Sequence, residues 1–357
     1  MHNPRRKMIT AMAAMGIVGT LALSGCADTG TGTPAGDADV AAPQGFDAIV
    51  EAAKQEGQVT VYTSIGNEAV RNALVDGFQN EYPEIVVDMI RLDSGPLTAR
   101  VASEMEAGSP TADVMQLVDN VLYDDNPEWF RQITPDVVPN VANWPDRFIA
   151  SEKTYIHQQA NEFIVAYNTD QAEDVPATWE ELATWDKLGD ALMANPNSSA
   201  SFMGWAMFIR DKFGDELLTK FADNVGGMFE SSATAAQQVA AGEVPVVFPS
   251  VKELTTAAVS QGAPVERQST DPVIGTSHIW AMPDSKGGSP NAGALFLNFM
   301  MSKEAAQITC MAGDNFPVAY DDIPDCPIVP EGLALVADYF PDLTDEVRAE
   351  INDALGL

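Results

Sequence analysis

The sequence predicts an α/β protein of two lobes, built from strands that alternate with helices. Short β-branched runs are separated by segments of helical periodicity about 10 to 15 residues long, the pattern of right-handed crossovers and mostly parallel sheets with helices on both faces. The body from Phe46 to Leu357 is long enough to bury two cores. Ahead of it lies an N-terminal segment of different composition.

The elements follow in order. Gln58 to Thr63 reads QVTVYT, a short strand, and is followed by a helix from Glu68 to Tyr82 with apolar spacing at Val70, Leu74 and Phe78. Ile85 to Leu92 is a second strand, Leu97 to Ala107 a second helix and Asp113 to Val118 a third strand. Phe163 to Tyr167 is the next strand, and Thr178 N-caps a helix that runs to Ala183. Helices at Ser201 to Lys212, Asp215 to Asn224 and Thr234 to Ala241 come next, with strands at Val244 to Phe248 and Ser277 to Met282. Helices at Ala292 to Met301 and Lys303 to Met311 complete the reading.

The N-terminal segment says where the protein works. Arg5, Arg6 and Lys7 precede an apolar stretch from Met8 to Leu23, which closes on Ser24, Gly25 and Cys26. This is the order of a signal peptide, and Cys26 resembles the lipid-modified residue of a bacterial lipobox. The apolar run is shorter than the ~20 residues of a spanning helix. An unlipidated cleaved signal, a short membrane anchor and twin-arginine export remain as other readings. Residues 1–25 are thus expected to be a signal peptide and 26–45, rich in Gly, Pro and small polar residues, a flexible tether. The mature chain would be held at the outer face of the cell membrane through lipid on Cys26.

The formal charge of −33 becomes −36 without the first 25 residues, which carry three basic side chains and no acid. Nucleic-acid binding is excluded, because phosphate backbones need a clustered positive surface. Cys310 and Cys326 are left as a pair in a compartment where disulfides persist, and are expected to bridge around Asn315, Phe316 and Pro317. No constellation for covalent catalysis is present. His157 and His278 lie in no metal-spacing motif, there is no G-x-S-x-G elbow and no Walker A loop, and Asp124-Asp125 and Asp321-Asp322 sit in polar, turn-like stretches. The chain reads as a binding protein, with no enzymatic activity, no cofactor and a monomeric state expected.

The chain resembles the extracytoplasmic solute-binding proteins of ABC importers, within the ferric-ion-binding-protein-like group that also serves phosphonates and thiamine. The resemblance is carried by VTVYTSIGNEAV (59–70), SGPLTARVASEMEAGSPTADV (94–114), IVAYNTD (164–170), PATWEELATW (176–185), AAGEVPVVF (240–248) and NAGALFLNFMMSKEAAQ (291–307). It implies a periplasmic-binding-protein type 2 fold: two mixed sheets with flanking helices, and a ligand cleft between lobes joined by two crossing strands. Lobe 1 would comprise 46–160 with 277–325, and lobe 2 would comprise 161–276 with 326–357. A membrane permease is the implied partner.

Iron-binding members of this group hold ferric ion with a histidine, a glutamate and two adjacent tyrosines. Gly66, Val118, Lys252 and Glu253 stand at those places here. A glycine, a valine and an ammonium offer a hard trivalent cation no ligand, so iron(III) or a ferric chelate stays only as the alternative cargo. The same members bind a companion anion at helix N-termini of the second lobe. Ser198, Ser199 and Ala200 open one such helix, Ser232 another, and Ser250 follows a strand. Orphan N–H groups and hydroxyls favour phosphate, phosphonate or carboxylate; any one serine alone reads more readily as an ordinary N-cap, and it is the three clusters together that favour a ligand.

From the first lobe, Thr63, Ser64, Asn67 and Ser94 fall in loops beyond the carboxyl ends of strands. Lys252 or Arg91 is a candidate for an acidic end of the ligand and Asp93 or Asp119 for an ammonium. The expectation is a lipid-anchored receptor that closes on a small polar, anionic solute. A ligand-presenting sensor lipoprotein and an exported hydrolase are the readings from other classes.

Overall fold

The computed structural model describes residues 45–357 apart from 286, so the expected signal peptide, Cys26 and nearly all of the 26–45 tether lie outside the described residues. Helix α1 (Phe46–Glu56) leads into β1 (Gln58–Thr63), α2 (Glu68–Glu81), β2 (Val86–Arg91), α3 (Ser94–Glu106), β3 (Val114–Leu117) and the short α4 (Val121–Asp125). The long β4 (Tyr155–Asn168) is followed by α5 (Trp179–Ala183), β5 (Ala191–Ala194), α6 (Ala200–Phe213), α7 (Asp215–Asn224) and β6 (Gly227–Phe229). Next come α8 (Ser232–Ala241), β7 (Val246–Val251), α9 (Lys252–Ser260), β8 (Val265–Ser269) and β9 (Ile274–Ala281). The chain ends with α10 (Pro290–Met300), α11 (Lys303–Gly313), β10 (Phe316–Pro317), β11 (Ala334–Leu335) and α12 (Asp345–Leu355).

The main strand order is β2-β1-β3-β9-β4-β7-β5-β6. Neighbours joined by helical crossovers are parallel: β1 with β2 and β3, and β5 with β6 and β7. The crossing strands are antiparallel, and this is why the sheets are mixed. The first half of β4 pairs with β9 from Tyr155↔Ala281 to Glu162↔Gly275, whereas its second half pairs with β7 and with β8 from Ile164↔Ser269 to Asn168↔Val265. β4 thus leaves one sheet and enters the other, and the chain returns between β8 and β9.

Each sheet half is covered on its faces by apolar helices. Along β1, Val59 and Val61 pack with Leu295 and Phe296 of α10, while Tyr62 turns to the opposite core with Leu97 and Val101 of α3. This alternation follows from the pleat. The other half gathers Trp179, Trp205, Phe221 and Phe248 into its own core, and Ile351 and Leu355 of α12 close it.

Sequence reading found β1 to β3 with α2 and α3, and α6 to α8, β7 and β9 to α11, but not α1, β5, β6, α9, β8, α12 or the crossing strand's full length. YIHQQANEFIVAYN is buried at nearly every position and shows no polar alternation, because several of its polar side chains are paired inside the protein, although Gln158 finds no side-chain partner among the described residues. His157 Nδ1 meets Ser277 Oγ at 2.7 Å, and Gln159 Nε2 meets His278 Nδ1 at 2.7 Å. Helix α3 begins at Ser94 rather than Leu97, since Pro96 is tolerated in a first turn. The Cys310–Cys326 disulfide is formed and ties the end of α11 to the segment beyond β10.

Candidate functional site

Several helices aim their first residues at one cleft. Ser94 opens α3, Ser199 caps α6, and Ser231 and Ser232 cap and open α8; all four line the cleft. Gly66 lies just ahead of α2, and Glu253 and Leu254 stand in the first turn of α9. Each helix brings first-turn N–H groups that have no partner within the helix itself, and the positive end of its dipole. Ser199 Oγ accepts from Phe202 N at 3.3 Å and Ser231 Oγ from Thr234 N at 3.5 Å. A hydroxyl that accepts in this way keeps its own proton to donate, so capping and anion binding do not compete.

The floor of the cleft is buried and of different chemistry. Phe163, Ser201, Phe202, Glu253, Thr276 and His278 form it. Ser201 Oγ and Thr276 Oγ1 lie 3.3 Å apart. The Glu253 carboxylate receives hydrogen bonds from Asn315 Nδ2 at 2.7 Å and Asn161 Nδ2 at 3.2 Å, and stands 3.9 Å from His278 Nε2. Burial pushes its pKa up to about 7 against those bonds. Burial also lowers His278 to about 3, so the imidazole is neutral.

The lobes touch across the cleft. A Cβ on Gly66 would stand 2.4 Å from Leu254 Cδ2, and one on Gly95 would stand 2.9 Å from the Ser198 carbonyl oxygen. The second approach, to backbone, needs glycine, whereas at Gly66 the Leu254 side-chain tip could give way.

Of the residues expected from sequence, Ser64, Ser94, Ser198, Ser199 and Ser232 line the cleft. The other five do not. Thr63 is buried in a bond to Gln116 Oε1 at 2.8 Å, and Asn67 caps α2 while its Nδ2 donates to Glu253 O and Ala312 O. Ala200 is the first residue of α6, behind the Ser199 cap. Ser250 is buried within β7, with no partner for its Oγ among the described residues. Lys252 turns away to Asp314 at 3.2 Å, with its Nζ over the Phe316 ring.

Arg91 and Asp93 line the cleft but pair with each other, which neutralises both. Asp119 is buried outside it, its pKa raised to about 6 by desolvation. The floor residues Phe163, Ser201, Phe202, Thr276 and His278 gave no sequence signal, because each sits inside an ordinary strand or helix pattern.

Solved structures share this architecture. The substrate-binding protein of an ABC transporter from Agrobacterium tumefaciens matches with TM-score 0.73 at 18% identity, over 84% of this chain and 94% of that one. AfuA from Actinobacillus pleuropneumoniae, a periplasmic binding protein with exogenous fructose-6-phosphate bound, matches with TM-score 0.67 at 17% identity over 84% and 99%. Iron-bound HitA from Pseudomonas aeruginosa gives 0.64 at 17% over 84% and 97%. At these identities the match establishes the two-lobed fold. No curated protein sequence matches the chain. Residues 73–325 fit the family model of bacterial extracellular solute-binding proteins. The chain belongs to that family.

In this solute-binding protein, three of the four positions aligned with iron ligands line the cleft: Gly66, Val118 and Glu253. Lys252 is the exception. A side chain at Gly66 would meet Leu254, so a histidine there would require Leu254 to move. Among the described residues no group of three or more His, Cys, Asp or Glu is disposed to hold a metal ion. Nor is any helix among them long and apolar enough to cross a membrane.

Proposed function

We propose that this solute-binding protein is the lipid-anchored capture component of an ABC importer, and that its cargo is a small polar solute with a phosphonate, phosphate-ester or carboxylate group. The observation that carries the reading is the convergence of the N-termini of α3, α6 and α8, with Ser94, Ser199 and Ser232, on one cleft. Preorganised N–H and O–H donors suit an anion, and opposed donors from two lobes reward closure over it. Closure about β4 and the β8–β9 return would present the loaded form to a membrane permease. Lipid on Cys26 would keep the receptor beside that permease. No bond is made or broken in this cycle.

Iron(III) is the rival cargo, and the donor set is the argument against it. Gly66 and Val118 offer no ligand atom from their side chains, and no tyrosine lines the cleft. Thermal unfolding of the mature chain with single added solutes tests the reading. Citrate, phosphonates or phosphate esters are expected to raise the midpoint and ferric citrate to add nothing beyond citrate; a rise specific to iron would refute it. Turnover of model esters would point instead to an exported hydrolase.

A further inference from the structure

Glu253 is a buried carboxylate with no permanent cation in contact, only the charge of Arg71 acting on it through space. The Asn161 and Asn315 side-chain amides donate to its Oε2, and the Asn67 backbone amide faces it from α2. These are neutral donors. Among the described residues the basic group within 4.0 Å is His278, which burial holds neutral. The nearby cations are committed elsewhere: Arg71 Nη1 donates to the carbonyls of Ile65 and Gly66, Arg91 of the cleft lining pairs with Asp93, and Lys252 and Arg267 both pair with Asp314. An ionised carboxylate in such a place is costly until a counterion arrives.

The cleft itself can bring that counterion. Glu253 lines its floor beside Phe163 and Phe202, whose ring centroids lie 6.1 Å apart, and beside the Ser201 and Thr276 hydroxyls. A carboxylate has about four acceptor sites, so three neutral donors leave room for one more bond. Aromatic faces add an attraction for a desolvated cation. The rim, by contrast, is built of helix N-termini and serines, with the Arg91–Asp93 pair and Glu230, which accepts from Asn195, beside them. We infer that the cleft floor is a subsite for a cationic amine, with Glu253 as its counterion, so that the solute carries an amine as well as an acidic group. The acidic half of that statement rests on the proposed function; the amine half does not.

Matched probes separate the two. O-phosphoethanolamine is compared with ethyl phosphate, and β-alanine with propanoate, by isothermal titration into the mature wild-type chain; ethylammonium is titrated alone. The amine-bearing member of at least one pair is expected to bind about tenfold tighter or more, the range of a charge-assisted hydrogen bond. Glu253→Gln, which keeps the shape and one acceptor, is expected to erase that difference. Equal binding within both pairs, or tighter binding of ethyl phosphate or propanoate, overturns the amine subsite while leaving the anion reading standing. Binding of ethylammonium with no gain from either acidic group supports the subsite and removes the anion reading. The wild-type comparison alone decides, whether or not the variant folds.

Discussion

Gly95 of α3 packs against the Ser198 carbonyl across the cleft, so closely that a methyl group on Gly95 would lie 2.9 Å from that oxygen. The contact joins the two lobes at the cleft wall, where Ser94 and Ser198 also stand. Backbone cannot swing aside as a side-chain tip can, so the contact limits how far the lobes approach.

Gly95→Ala is therefore expected to weaken solute binding by about tenfold, the order of an overpacking cost of 1–3 kcal/mol applied to the closed state alone. The unliganded chain is expected to keep its unfolding midpoint, because alanine favours a helical position over glycine. Calorimetric titration beside scanning fluorimetry checks this; equal affinity in both proteins would show that the lobes need not meet there.

The disulfide joins residues 16 apart and braces the turn that carries Asp314 and Asn315. Replacing Cys310 and Cys326 by alanine is expected to cost about 3 kcal/mol of stability, from the closure entropy of a loop of that size. In a protein this large the midpoint should fall by about 4 to 5 °C. The comparison is scanning calorimetry of wild type and the double variant, and a change under about 1 °C would contradict it.

Buried titratable groups pull stability in opposite directions with pH. Glu253 rises from 4.5 to about 7 on folding and Asp119 from 3.8 to about 6, so each favours the folded state when protonated and loses that contribution as pH rises through those windows. His157 and His278 fall from 6.5 to about 4 and about 3, so their contribution is present above pH 6.5 and is lost as pH falls. Glu253→Gln removes one acidic window. Its midpoint relative to wild type is expected to climb between pH 5 and pH 8, and a flat difference across that range would contradict the burial of an uncompensated carboxylate.

Much of the fold was legible because its βα units follow local rules. Val70, Leu74 and Phe78 mark one helix by spacing alone, and all three are fully buried. β4 was illegible over its first half, since Gln159 and Asn161 are buried by long-range pairing that no local window contains. The site divides the same way. Ser94, Ser199 and Ser232 could be placed at the cleft because helix starts have a signature, whereas Phe163, Thr276 and His278 enter its lining only through the crossing of β4 and β9. Lys252 falls outside the cleft lining for a related reason: it pairs with Asp314, which lies 62 residues further on.

The claim at the centre of this account is that opposed hydroxyls at helix N-termini hold an acidic group between the lobes. Ser94 and Ser232 test it most directly, since they come from different lobes and neither serves as a helix cap. Isothermal titration of citrate, ethylphosphonate and ethyl phosphate into wild type, Ser94→Ala and Ser232→Ala is the measurement. The account expects at least one of these anions to bind, and each substitution to weaken it about tenfold, the cost of one hydrogen bond to a charged group. Binding of none of them by wild type, or full affinity in both variants, would contradict it.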